Sequence, residues 1–394
     1  MQRIGTGAVG EMPVPDDVRD SAGLAPFPNP LRDVPGREGG ARPIFVPAEA
    51  IVRSPRGEAF APTYAALDLG TNNCRLLIAR AGHSNGGFRI VDSFSRIVRL
   101  GEGVSKTGRL APAAIIRTLD ALQVCRDKMA ARHVTRARLI ATEACRMAEN
   151  GAEFVERVYE KTGLDLEIID RETEAHLAAA GCAALADAQA EGVLLFDIGG
   201  GSSEIIWLAR APRGRKSSPT GQAASSVRTW TSMQLGVVTL AEKFGGYEVS
   251  DAVFEAMVDH VTSALAGFVA EVAAMRRCRH FHLLGTSGTV TTIAGVHLNL
   301  LRYDRRRVDG LWMSNGEVSG AIHRLRRMSY TERVANGCIG VERADLVLAG
   351  CAIFEAIRRA FPAERVRIAD RGLREGILQQ LIAADRAKAR ACPR

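Results

Sequence analysis

The chain has 394 residues, 46% of them hydrophobic and 24% charged, with a mean hydropathy near zero. That composition excludes a disordered chain, a disulfide miniprotein and a fibrous repeat, and it suits two globular domains. Lys and Arg number 52 against 44 Asp and Glu; the first 63 residues hold 7 basic and 8 acidic groups, so 45 basic against 36 acidic groups leave +9 on the remainder.

That basic remainder points to an anionic partner: nucleic acid, an acidic membrane surface or a phosphate-rich substrate. Residues 1–63 hold ten of the 15 prolines and eight glycines, which predicts an extended or mobile leader. The apolar Ile44, Phe45, Val46 and Ile51 leave a docking arm open as the alternative. Gly5-Thr-Gly7-Ala-Val-Gly10 spells G-x-G-x-x-G, but no strand precedes it, so it reads as chance. The start lacks the apolar core of a secretory signal, and no apolar run approaches the ~18–20 residues of a bilayer span. The eight cysteines are scattered singly, without a C-x-x-C pair. A cytoplasmic protein with buried free thiols is expected, with no membrane partner and no specific nucleic acid.

From residue 64 the pattern changes to short strands over 64–67, 74–79 and 88–94, the first two joined by a small polar turn over 68–73. A helix opening near Pro112 carries Ile115, Ile116, Leu119, Leu122, Cys125 and Met129 at helical spacing. A strand over 137–141, a helix over 152–162, a strand over 166–169 and a helix over 171–188 follow. A second cycle then begins. VLLFDIGGGSSEIIWL repeats the order of AALDLGTNNCRLLI: apolar strand, Asp, apolar residue, Gly, small polar turn, apolar strand. The two acids, Asp68 and Asp197, lie 129 positions apart, a domain-sized spacing that suggests two related halves.

Residues 210–232 predict a basic exposed loop, followed by a strand over 233–237, helices over 251–275, a strand over 280–284 and a Gly-rich turn leading into a helix from about residue 290. Later helices are expected over 315–328, 344–359 and 373–387, with a strand over 365–368. Alternating strands and helices predict an α/β protein. Its expected units are the leader 1–63, a first domain 64–178 and a second domain 179–394 whose last helix is free to pack back on the first.

Three loops of Gly, Ser, Thr and Asn follow apolar strands: Gly70, Thr71, Asn72 and Asn73; Gly199, Gly200, Gly201, Ser202 and Ser203; and Gly285, Thr286, Ser287, Gly288 and Thr289. Glycine lets backbone N–H groups approach an anion, and hydroxyls add donors, so such loops make phosphate cradles. The third also opens a helix, whose free N–H groups favour phosphate. Asp68 and Asp197, at strand ends beside these loops, suit Mg²⁺ or its waters, with an Asx turn as the plainer role. In the acidic helix start DRETEAH, Asp170 and Glu172 fit dipole partners. Glu174 sits where the two halves join and is placed to accept a proton from an attacking water.

Three arginine clusters, Arg276, Arg277 and Arg279; Arg302, Arg305, Arg306 and Arg307; and Arg324, Arg326 and Arg327, are either solvated faces or a track for a polyanion. His280 and His282 share a strand face without a third ligand. No nucleophile elbow or P-loop is present.

The series ALDLGTNNCRLLIAR, SRIVRLGEGV, ATEACRMAENG, IIDRETEAHLAAAG, LLFDIGGGSSEII, MQLGVVTLAEKF, LLGTSGTVTTIAG, YDRRRVDG and RIADRGLREGIL resembles the exopolyphosphatase and guanosine pentaphosphate phosphohydrolase family from about residue 64 to 378. The resemblance implies two ribonuclease-H-like domains, as in actin, sugar kinases and heat-shock ATPases, with an active cleft between them. It implies that Glu174 is the catalytic glutamate, in a segment where Thr173 replaces the family's first acid. It further implies that Arg146 contacts phosphate, that Asp197 and Glu204 are associated with metal and attacking water, and that the three loops bind phosphate. The implied reaction is Mg²⁺-dependent (or other divalent-cation-dependent) hydrolysis of a terminal phosphoanhydride, with Glu174 activating water and Glu204 assisting. The chain resembles the short form, without the C-terminal helical domain of longer members, and a homodimer is compatible with the family. Two further classes compete: an ATP-dependent sugar or acetate kinase, and a non-catalytic polyphosphate or alarmone sensor.

Overall fold

The computed structural model describes residues 62–82, 87–210, 225–275 and 280–391. The leader up to residue 61 with its Gly5–Gly10 motif, the basic loop over 211–224, and Arg276, Arg277 and Arg279 lie outside these described residues.

The first half comprises β1 (Thr63–Leu69), β2 (Asn73–Ala81), β3 (Phe88–Ile97), α1 (Val104–Thr107), α2 (Pro112–Ala131), β4 (Arg136–Ala141), α3 (Glu143–Met147), α4 (Gly151–Thr162), β5 (Glu167–Ile168) and α5 (Arg171–Cys182). The second comprises β6 (Gly192–Ile198), β7 (Ser203–Arg210), β8 (Ser225–Met233), α6 (Val237–Phe244), α7 (Asp251–Met275), β9 (Phe281–Thr286), α8 (Ser287–His297), α9 (Arg305–Val308), β10 (Trp312–Ser314), α10 (Asn315–Arg327), α11 (Tyr330–Ala335), α12 (Val347–Ala360), β11 (Arg365–Ala369) and α13 (Leu373–Ala391).

The strands form a five-stranded sheet, β3-β2-β1-β4-β5, and a six-stranded sheet, β10-β11-β9-β6-β7-β8. In each, an antiparallel meander of three strands continues into parallel strands, β1 beside β4 in one and β6 beside β9 beside β11 in the other. This is the ribonuclease-H-like topology used twice, in the architecture shared by actin, sugar kinases and heat-shock ATPases. Central strands β1 (TYAALDL) and β6 (GVLLFDI) are buried along nearly their whole length. Such unbroken apolar runs fit strands covered on both faces by helices.

Each central strand carries its aspartate at the next-to-last position, and the ladder sets what faces it. Asp68 pairs in register with Arg75 on β2, and Asp197 pairs with Glu204 on β7. The repeat thus recurs down to register, but opposes one aspartate with a cation and the other with an acid.

Two helices cross between the sheets. On α5, Leu177 joins an apolar cluster with Tyr64, Ala66, Ile377 and Leu378, whereas Ala175, Ala179 and Cys182 join one with Val193, Leu195 and Ile206 of the second sheet. α13 leaves β11 of the second sheet and packs on α5 and on β1, β2 and β4 of the first. The crossing is a backbone contact. A Cβ on Gly181 would lie 1.9 Å from Gly372 O, and one on Gly376 would lie 2.1 Å from Leu177 O.

Several elements differ from expectation. The strand expected over 233–237 instead runs over Ser225–Met233, mostly within the expected loop, and Val237 opens α6, because Thr239 Oγ1 accepts from the Gly236 N–H at 2.9 Å and closes a helix start. The third Gly-rich segment is not a free turn: β9 runs through Thr286, and α8 begins at Ser287. α7 is long and apolar enough by composition to cross a membrane, contrary to expectation. It is an amphipathic surface helix, with Phe254, Met257, Val261, Leu265 and Val272 in the core and Asp251, Asp259 and Glu271 exposed. Among the described residues six cysteines are free and buried. His282 is a core histidine: its Nε2 accepts from the Asp187 N–H at 3.0 Å.

Candidate active site

The cleft between the sheets contains a cavity of about 80 Å³, lined from the first half by Asp68, Gly70, Thr71, Asn72, Asn73 and Arg75, together with Thr142, Glu143 and Glu174. From the second half come Asp197, Gly199, Gly200, Gly201, Ser202, Glu204 and Ser287. An adjoining cavity of about 50 Å³ shares Asn72, Asn73, Arg75, Gly199, Gly200 and Ser287 and adds Gly288, Thr289 and Arg343. The expected acids and most of the three loops therefore meet in one place.

The loops approach so closely that side chains would part them. A Cβ on Gly200 would sit 3.0 Å from Thr71 Cβ, and one on Gly201 2.6 Å from Thr71 Oγ1. Each loop closes on itself, the Gly70 N–H donating to Asn73 O at 2.9 Å and the Gly199 N–H to Ser202 O at 3.0 Å. Asn72 Oδ1 and Asn73 Oδ1 are buried and have no partner among the described residues. Such orphaned amide groups beside a cavity await a ligand or water. Ser287 holds φ 82, a left-handed conformation uncommon outside glycine and found at strained functional positions.

Not every loop residue reaches the cavity. Ser203 donates its hydroxyl to Leu235 O at 2.7 Å. Thr286 donates to Arg371 O at 2.5 Å. Gly285 is a packing glycine, since a Cβ there would meet the Phe196 ring at 2.5 Å.

Glu174 lies in the first turn of α5, whose N-cap Asp170 accepts from the Thr173 N–H at 2.6 Å. The residue is 8% exposed, and its carboxylate accepts from Arg146 Nη2 at 2.9 Å. Burial and the neighbouring Glu204 charge push the Glu174 carboxyl well above the usual range, while Arg146 opposes them. Arg146 also donates to Glu143 Oε2 at 2.6 Å and to Ile169 O at 2.6 Å. Its guanidinium therefore holds acids and backbone, where direct phosphate contact was expected.

Glu204 is 2% exposed and accepts from Ser232 Oγ at 2.8 Å. Burial and the charge of Asp197 push it up to about 7. Burial pushes Asp197 up to about 6, with Arg75 opposing and Asp68 adding to the rise. Burial raises Asp68 as well, against the pull of Arg75 and Arg374. Four carboxyls, two of them buried (Glu174 and Glu204) and two half-buried (Asp68 and Asp197), thus repel one another around one cavity. This all-oxygen donor set suits a hard divalent cation. Among the described residues no three His, Cys, Asp or Glu side chains form a ready cage.

Three residues of the site escaped the sequence. Glu143 is 4% exposed and bridged by Arg146 and by Arg171 Nη2 at 3.0 Å. Its signal was the Glu-x-x-Arg spacing within ATEACR. Arg75 occupies the place of Glu204 in the repeat, so aligning the halves would have exposed it. Arg343 comes from distant sequence to within 3.7 Å of the Cβ position of Gly288, beside Arg75 at 3.9 Å. Neither guanidinium makes a hydrogen bond or ion pair among the described residues. Burial and Arg75 together lower the pKa of Arg343, against the pull of Tyr303, Glu342 and Asp370. Of the basic clusters, Arg305 is tied to Asp370 and Glu375 and Arg326 to Asp251 and Glu255, so neither lines the cavity.

The profile of the Ppx/GppA phosphatase family matches residues 77–384. Exopolyphosphatase 2 of Mycobacterium tuberculosis is 29% identical over 308 residues, which are 75% of this chain and 89% of that protein. Guanosine-5'-triphosphate,3'-diphosphate pyrophosphatase of Aeromonas salmonicida is 29% identical over 325 residues, 82% of this chain but only 60% of that longer protein. The crystal structure of the Aquifex aeolicus Ppx/GppA family member superposes with a TM-score of 0.64 at 28% identity, covering 82% of this chain and 98% of that one.

Proposed function

The chain belongs to the Ppx/GppA phosphatase family and is a phosphoanhydride hydrolase, and we propose that it releases orthophosphate from the end of inorganic polyphosphate. The observation that carries this assignment is the buried Glu174 carboxylate, oriented by Arg146, facing loops from both halves across one cavity. The terminal phosphoryl group lies against the N–H groups and hydroxyls of the loops at Gly70–Asn73 and Gly199–Ser202. Arg75 and Arg343 take the negative charge of the following phosphates. Water between Glu174 and the terminal phosphorus gives up a proton to the carboxylate as its oxygen attacks; the bridging P–O bond breaks and the shortened chain departs. Glu204, close enough to raise Glu174, helps to align that water.

Asp68 and Asp197 would hold a divalent cation, Mg²⁺ by chemistry, which offsets charge on the phosphoryl oxygens when bound. The clustering of these half-buried acids with the buried Glu174 and Glu204 supports this assignment, since gathered like charges are costly without a cation.

The same site favours guanosine pentaphosphate as a second substrate, because Val237, Leu346 and Val347 give the adjoining cavity an apolar wall suited to a nucleoside. The test is phosphate release from polyphosphates of several lengths and from guanosine pentaphosphate, compared as kcat/KM. Polyphosphate turnover should stop on chelation and return with Mg²⁺. Glu174→Gln should lower kcat by about 10²–10⁴-fold. Unchanged turnover in that variant would sink the assignment, and no release from either substrate would indicate a sensor.

A further inference from the structure

The segment over 98–105, between β3 and α1, touches both sides of the cleft. Toward the first half, the N–H groups of Val98 and Arg99 donate to Asn72 O at 2.9 and 3.1 Å, and that of Gly101 donates to Thr71 O at 2.9 Å. This strap therefore grips the carbonyl side of the first phosphate loop. Toward the second half, Arg99 Nη2 donates to Asp345 Oδ1 at 3.0 Å and to Glu342 O at 3.1 Å. Glu242 of α6 accepts from the Gly103 N–H at 2.9 Å and from Ser105 Oγ at 2.5 Å. Arg99 is held at φ 47, and a non-glycine residue keeps such a conformation only where its surroundings impose it.

α6 grips the second loop in the same manner. The N–H groups of Val237 and Val238 donate to Gly199 O at 3.0 Å and Gly200 O at 2.8 Å. The supports of the two phosphate loops therefore meet at Glu242, with Arg99 making a parallel tie to the segment that carries Arg343. We propose that Glu242 and Arg99 are positioning residues for the hydrolysis, fixing the separation of the two phosphate loops across the closed cleft through the strap over 98–105. The inference rests on the hydrolase assignment for its catalytic consequence, but not for the mechanical coupling.

The test compares wild type, Glu242→Ala, Glu242→Gln and Ser105→Ala in the full chain. Hydrogen exchange should speed up in Glu242→Ala over 98–105 and in peptides containing 70–73 and 199–203. With polyphosphate, kcat should fall on the order of tenfold to a hundredfold, more than KM rises, since small misplacement of the loops acts on the transition state. The melting temperature should stay within about 2 °C, as for a half-exposed contact. Gln keeps one acceptor oxygen and should restore part of kcat; Ser105→Ala should fall between wild type and Glu242→Ala. Faster exchange confined to 98–105, or kcat within twofold of wild type, overturns the proposal. So does a loss of kcat that tracks the melting temperature without rescue by Gln. Loop exchange that responds in a protein with no polyphosphate turnover would remove the substrate assignment and leave the coupling standing.

Discussion

Arg146 Nη2 lies 2.9 Å from Glu174 Oε2 and 2.6 Å from Glu143 Oε2, so one guanidinium joins acids on two different helices. This contact opposes the burial that drives Glu174 toward its protonated form. Arg146→Met should move the acidic limb of the pH–rate profile to higher pH. At neutral pH it should lower kcat/KM on the order of tenfold to a thousandfold, the span of a one- to three-unit shift. A profile of unchanged position, read by phosphate release between pH 5 and 9, would show that Arg146 does not set the ionisation of the base.

Glu204 couples stability to pH in the opposite sense to a salt-bridged acid. Its pKa is raised to about 7, so between roughly pH 4 and 7 the folded chain binds more protons here than the unfolded one, and stability falls as pH rises. Glu204→Gln, which keeps an acceptor for Ser232, should gain roughly 1–3 kcal/mol over wild type at pH 8, with the difference vanishing near pH 4. Denaturant melts at the two pH values check this, and equal stability at pH 8 would contradict it.

Arg343 shows the same trade of stability for function on the cationic side. Replacing this half-buried guanidinium, which has no ion pair among the described residues, by Met should leave the melting temperature equal or higher. It should raise KM for polyphosphate about 10–100-fold, the worth of a hydrogen bond to a charged group. A lower melting temperature with unchanged KM would mark Arg343 as a structural residue.

At the crossing of α5 and α13, Gly181→Ala places a methyl 1.9 Å from Gly372 O, so the backbone on one side must shift. The expected cost is about 1–3 kcal/mol. Activity should fall as well, since α5 carries Glu174. Thermal unfolding and turnover of the one variant report both, and a neutral substitution would mean that the helices slide freely.

Much of the site was legible because the chain states it twice. Asp68 and Asp197, each followed by a Gly-rich loop after an apolar run, were visible from the repeat, and Glu174 from its place at the junction of the halves. Arg343 was not visible, because only tertiary packing carries the segment before α12 to Gly288. Gly285 and Thr286 were misassigned to a loop because a glycine that admits a phenyl ring and one that admits a phosphate look the same in sequence. The start of α6 was hidden by Val237, whose strand preference yields to the helix start at Gly236 and Thr239.

The start of β1 and the end of α13 meet at the same spot. Tyr64, at the start of β1, donates its hydroxyl to Asp385 near the end of α13 at 3.1 Å. Both lie at the opposite end of β1 from Gly70, about 20 Å along the strand. Residues near 64 and 388 therefore share one pole, remote from the chemistry, and a short linker joining them offers a route to circularly permuted enzymes.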